Sequence, residues 1–135
     1  MSSLTTLTTT TAPPAVVTAQ FISALAARDL DRIGDLLDPD VWFRIVLPRE
    51  IVEHRDASAV LDRFRDWYVT PVEAELVAAD HHTMAGREYL SYRFRLRPAW
   101  EPDRWHLIEQ SGYVRVRDGR IRRLDLVCTG FHPIA

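Results

Sequence analysis

Lysine is missing altogether: all seventeen basic residues of the chain are arginine, an absence that reads as coding bias rather than physics. Cysteine is nearly missing too. The lone Cys128 excludes an intrachain disulfide framework and suits a reducing compartment. The five glycines build nothing like a phosphate-cradling loop, so no cofactor is expected. No apolar run approaches the roughly 20 residues of a membrane span. The N-terminal MSSLTTLTTTTAPP lacks the basic and apolar regions of a secretory leader. A charge excess is also wanting. Seventeen basic residues stand against nineteen acidic ones, a net charge of −2, and their interspersion leaves no footprint for nucleic acid or an anionic membrane. The arginine-dense run from Tyr92 to Arg97 alternates with Phe94 and Leu96 and reads as the solvated face of a strand. No His, Cys or carboxylate spacing suggests a metal site, and the adjacent His81 and His82 would point to opposite faces of a strand. These absences leave a cytoplasmic domain with no cofactor or metal and with neither nucleic acid nor membrane as a partner.

What is present is enough apolar content, 47% of 135 residues, for one substantial core. Residues 1–13 read as a flexible threonine-rich tail, and residues 14–135 as a single domain. Pro14 opens a first helix carrying Val17, Phe21 and Leu25 at helical spacing. Asp29 caps a second helix that Asp38-Pro39 stops. Val41–Leu47 is a strand with both faces mostly apolar, so burial on both sides is expected, and Ile51–His54 is a short second strand. Asp56 caps a third helix, with Val60, Phe64 and Trp67 on one line and Leu61 and Tyr68 beside it. Residues 72–84 and 88–96 form strands about an Ala85-Gly86 turn. In the second of these Leu90, Tyr92, Phe94 and Leu96 point inward. The last hairpin turns at Asp118-Gly119, a strong hairpin signal. His106, Ile108 and Gln110 share its interior face with Leu124, Leu126 and Cys128.

Three early helices followed by paired strands mean α+β, with the helices over one face of an antiparallel sheet. The order of FISALAARDLDRIGDLLDPDVWFRIVLP, a helix from Asp56, and strands joined by RDGRIRRLDLV resembles the nuclear-transport-factor-2-like superfamily. That superfamily includes SnoaL-like polyketide cyclases and ketosteroid isomerases. The closing LDLVCTGF is similar to that of actinobacterial-type members. The resemblance implies a curved antiparallel sheet wrapped around three helices, a cone with an apolar internal pocket, and often a homodimer through the sheet. It also implies acids that this chain lacks. The cyclases' acidic position and the isomerases' oxyanion-hole acid both fall on Gly112, and the isomerases' basic aspartate falls near Ile45.

The interior phase nominates other groups. His106 is the candidate acid or base. The Tyr92 hydroxyl could orient or protonate a carbonyl, and Gln110 could bond a ligand oxygen or close a network with Tyr92. Each also has a plain reading as a satisfied core residue. Trp42 or Phe43, whichever looks inward, with Phe64, Trp67, Phe94, Ile108, Leu126 and Cys128 would wall a pocket for a hydrophobic small molecule. Arg44, on a strand expected to be buried, must meet an acid or line a wet cavity, and His54 would sit at the mouth. Glu109, on the outward phase, would pair across strands with arginine. Two functions compete: a cofactor-independent acid–base enzyme acting on an oxygenated apolar metabolite by cyclisation, isomerisation, dehydration or epoxide opening, and a non-catalytic binding or dimerising accessory. The outward Tyr89, Trp105, Tyr113 and Val127 suggest a homodimer through the outer sheet face.

Overall fold

A computed structural model of the chain describes residues 11–134. Most of the expected N-terminal arm lies outside the described residues. Ala12 packs against the core, and the Pro13 carbonyl accepts from Val16 and Val17.

Proline at the first helical position starts α1 (Pro14–Ala27), where its missing N–H costs no hydrogen bond. The Asp29 carboxylate accepts from the Arg32 N–H at 3.0 Å and starts α2 (Leu30–Leu36). Asp56 does the same for Ala59 at 2.8 Å at the head of α3 (Ala57–Phe64). These caps satisfy N–H groups that a helix start leaves without partners. The last turn of α3 widens into a π-helical turn, Arg65–Val69, closed by Thr70 N–H on the Arg65 carbonyl at 2.8 Å. The strands are β1 (Leu37–Val46), β2 (Ile51–His54), β3 (Glu73–Met84), β4 (Arg87–Arg97), β5 (His106–Arg117), β6 (Arg120–Cys128) and β7 (His132–Pro133).

They form one curved sheet in the order β2-β1-β6-β5-β4-β3, with β7 pairing the start of β5. Register breaks in β3–β4 between Leu76 and Ala78, and in β5–β6 between Arg115 and Val116. Extra residues of this kind bend a sheet and raise its twist. One expectation is corrected: the sheet is mixed, because β1 and β6 run parallel. Local patterning reports reversals between consecutive strands, whereas the relative direction of β1 and β6 depends on every connection between them.

The three helices lie on the concave side. Phe21, Leu25, Val60, Phe64 and Tyr68 meet Phe43, Ile45, Leu90, Tyr92, Phe94 and Leu124 there, all buried. On β1 the burial alternates strictly from Val41 onward, with Val41, Phe43 and Ile45 inside. Burial on both sides of this strand is therefore not what forms. Trp42, Arg44 and Val46 face the convex side.

Candidate functional site

A polar cluster sits inside this apolar layer. Strand phase carries Tyr92 on β4, Gln110 on β5 and Cys128 on β6 to the concave face, where they are register neighbours: Tyr92 opposite Gln110, and Gln110 opposite Cys128. The Tyr92 hydroxyl donates to Gln110 Oε1 at 2.7 Å, and Gln110 Nε2 donates to Cys128 Sγ at 3.4 Å. All three side chains are buried. From the helix side Tyr68 adds a second phenol, fully buried, whose hydroxyl stands close enough to that of Tyr92 for each to influence the other's proton, yet makes no hydrogen bond of good geometry with any described group. Burial, reinforced by the neighbouring Tyr92 and Cys128, pushes the Tyr68 phenol well above its usual range. Burial first and Cys128 second do the same to Tyr92. Both therefore stay protonated and can act as donors.

Aromatic rings enclose the cluster. Tyr68 lies 4.8 Å from Phe94 and 6.0 Å from Tyr92, and Phe21 lies 5.4 Å from Phe64, centroid to centroid. Phe64 and Trp67 stand edge to face at 5.6 Å, and Phe43 packs on Phe64 at 5.7 Å. Ile108 and Leu126 are buried alongside. The expected open pocket is thus filled by its own walls. Hollows of about 350, 590 and 200 Å³ lie on the convex face, on the outer side of α1, and over β3 and β4.

Arg28 fixes the helix side of the cluster. At the end of α1 it takes a left-handed conformation, φ 57°. Its guanidinium donates to the carbonyls of Tyr68 at 3.0 Å, Val69 at 2.6 Å and Pro71. A helix end leaves such carbonyls unpaired, so Arg28 ties the π-helical turn, and with it Tyr68, to α1. Sequence reasoning overlooked this pair. Tyr68 had only its helical spacing to recommend it, and Arg28 stands forty residues away with no local sign of its partners.

The other sequence-predicted residues fall elsewhere. His106 is buried, but four residues of strand separate it from Gln110, about 13 Å at 3.4 Å per residue. Its Nδ1 faces the Arg104 carbonyl at 3.1 Å, and its Nε2 faces the Glu101 carboxylate at 3.1 Å. Trp100 lies against the ring edge-on at 4.9 Å. The structure therefore joins Tyr92 to Gln110 and separates both from His106. Between Trp42 and Phe43 it is Phe43 that faces inward, fully buried. Trp42 leaves the interior set for the convex face. Arg44 is exposed there, 3.8 Å from Glu53, so it lines no wet interior. His54 stacks on Phe43 at 6.3 Å and accepts from Arg63 Nε at 3.3 Å.

Gly112 explains the missing acid. A Cβ built there would lie 1.8 Å from the Asp125 carbonyl oxygen on β6, so the strands pass too closely for any side chain. Gln110, two residues earlier on the same face, is the polar group that β5 presents instead.

A family model described as the SnoaL-like domain matches residues 18–124. No curated protein matches the sequence at a significant level. Among solved structures the chain is similar to a polyketide cyclase candidate from a Silicibacter species, with TM-score 0.68, 16% identity, and 87% of this chain and 88% of that one covered. It is similar also to an LEH-like epoxide hydrolase of M. tuberculosis, with TM-score 0.61, 15% identity, and 84% and 80% covered. A ketosteroid isomerase candidate from Kribbella flavida matches with TM-score 0.61, 17% identity, and 84% and 75% covered. At these identities the likeness is one of fold.

Proposed function

Because the chain belongs to the SnoaL-like domain family, we propose that it is a small cofactor-independent enzyme acting on a hydrophobic, oxygenated small molecule held between the helices and the concave sheet face. The observation that carries this reading is the unpartnered Tyr68 hydroxyl beside the Tyr92–Gln110 pair. A buried hydroxyl without a partner is costly, and a ligand carbonyl, phenol or epoxide oxygen accepting from Tyr68 would remove that cost. Tyr92, whose O–H is given to Gln110, fixes the polar wall beside it, while Tyr68, held protonated by burial, can polarise such an oxygen with its one O–H. That is the acid half of cyclisation, isomerisation, dehydration or epoxide opening. The base half falls to His106, which lies on the same face of β5 and would meet the far end of a ligand long enough to span about 13 Å. Entry requires Trp67 and Tyr68 to swing off the sheet. The π-helical turn that carries them is the segment suited to it, since such turns concentrate at functional sites.

A second reading has its own support. Among the described residues no carboxylate hydrogen-bonds to Tyr68, Tyr92, Gln110 or Cys128, which fits a protein that binds an apolar ligand without transforming it. Incubation with a panel of polycyclic ketones, phenols and epoxides, followed by chromatography, separates the two. The enzyme reading expects product, with Tyr68→Phe slowing its formation by about a hundredfold or more. Retained binding with no product from any of them supports the binding module.

The convex face supports a homodimer. Ile51, Val46 and Val127 are register partners in one row across β2, β1 and β6, and they are 56%, 36% and 56% exposed. Tyr113 is also exposed, whereas Tyr89 and Trp105 are half-covered, Trp105 by Arg95 at 4.2 Å. No helix of the described residues is long and apolar enough to cross a membrane; separately, the single cysteine fits a reducing, cytoplasmic setting.

A further inference from the structure

The convex face carries a second feature, at the end where the β5–β6 hairpin turns. Register partners in a sheet share a face, so outward residues stand in rows across the strands. One row runs from Trp42 on β1 to Arg123 on β6 and Arg115 on β5, each the register partner of the next. Glu88 on β4 pairs with Val114 on β5, and one further step of that register sets Arg87 beside Arg115. Three guanidiniums thus stand on adjacent strands, spaced about 5 Å per strand.

Like charges placed directly opposite destabilise a sheet. Along β3 to β5 the chain offsets its arginines by pairing, Arg93 with Glu109, Arg95 with Glu75 and Arg97 with Glu73, and the other like pair in register, Arg117 opposite Arg120, stands at the turn of the same hairpin. In the row only Arg123 has a carboxylate, Asp125 at 2.7 Å. Arg87 and Arg115 enter no ion pair among the described residues. The row lines a hollow of about 350 Å³ to which Arg55 and Arg122 add two more cations, against only Asp40 and Asp125. Arg55 and Arg123 lie over the Trp42 ring, 4.2 and 3.8 Å from its centroid, which holds both by cation–π attraction. The Trp42 Nε1–H is buried there without an acceptor. A chain of net charge −2 has gathered five arginines around one concavity, and among the described residues only Arg122 and Arg123 of the five meet a carboxylate.

We propose that this row binds the di- or triphosphate group of a small molecule. Guanidinium forks match phosphate oxygens in pairs, and three strands span about 10 Å, room for two or three linked phosphates rather than one. The hollow lies at the lower end of small-molecule sites, enough for the phosphate chain and part of what bears it. A second copy of the chain is a poor occupant, since a two-fold contact at this end would set one arginine row against the other. The apolar row of Val46 and Val127, four residues further along β1 and β6, is free for that contact.

Thermal unfolding of the full chain tests the proposal, with sodium triphosphate, pyrophosphate, phosphate and ADP each matched in ionic strength by sodium chloride. Triphosphate and pyrophosphate are expected to raise Tm in a saturable way, with phosphate at least tenfold weaker. A shift with ADP at lower concentration than with pyrophosphate shows that groups beyond the phosphates also bind. Arg87→Gln and Arg115→Gln should each weaken triphosphate at least tenfold while leaving the unliganded Tm unchanged or higher, because each removes a repulsion. Arg93→Gln, outside the row, should keep the response. A triphosphate shift no larger than that of matched chloride, or one that survives in the Arg87→Gln/Arg115→Gln double variant, overturns the site. A single-stranded oligonucleotide that displaces triphosphate at lower phosphate concentration overturns the small-molecule assignment.

Discussion

Tyr68 and Tyr92 differ in one hydrogen bond, and removing each hydroxyl should have opposite consequences. Tyr92→Phe strands the Gln110 carbonyl oxygen in the core and should cost about 1–3 kcal/mol in urea unfolding. Tyr68→Phe removes a hydroxyl that has no partner and should be neutral or slightly stabilising. Equal losses from the two would mean that Tyr68 has a partner after all. The same pair makes the fold sensitive to alkali. Both phenols have folded pKa values raised above the unfolded value of about 10, so the folded state holds these protons more tightly. Their contribution is complete below pH 10 and is lost as pH climbs from there through the raised values. Phenolate absorbance from Tyr68 and Tyr92, assigned by difference from the two phenylalanine variants, should therefore appear together with loss of circular dichroism. Its appearance near pH 10 in a protein that is still folded would show that these hydroxyls are wet.

Two elements rest on single positions. Among the described residues the π-helical turn is hydrogen-bonded to the end of α1 by one side chain, Arg28. Arg28→Ala should cost about 2–3 kcal/mol, charged donors being worth more than neutral ones, and should speed amide exchange over residues 68–72. Arg28→Gly loses the same bonds but relieves the φ of 57°, so it should be the milder change by up to about 1 kcal/mol. The reverse ranking would mean that the clamp contributes little. Gly112 holds the β5–β6 contact. With an added Cβ 1.8 Å from a backbone oxygen, Gly112→Ala should cost about 3 kcal/mol or more, at the severe end for one substitution. A thermal shift under about two degrees would show that β5 can move away.

At the scale of the whole molecule the sheet presents two convex regions of opposite character, four residues apart along the strands. The apolar row of Ile51, Val46 and Val127 is the expected dimer contact. Val127→Arg should leave the fold intact and shift the light-scattering mass from dimer to monomer at micromolar concentration. A wild-type monomer at that concentration would leave the apolar row without a self-contact to serve. The arginine row at the hairpin end stays outside that contact.

Local sequence was enough to place the three helices and the long strands, and to set the phase of β4, β5 and β6. Proline at 14, aspartates at 29 and 56, and the Asp118-Gly119 turn act over one or two turns of chain, and alternation on β4, β5 and β6 assigned Tyr92, Gln110 and Cys128 to the interior through the backbone's period of two. Tertiary structure decided whatever depends on residues distant in the chain. The side of β1 that would be buried was open, because both of its faces read as apolar and only the helices packing on the Phe43 side exclude water there. Whether interior polar groups met was open as well, since phase fixes a face but not a position along it; His106 shares a face with Gln110 yet lies under the loop carrying Glu101. The arginine row was the least legible, because Arg87, Arg115 and Arg123 come from three strands and become neighbours only through register.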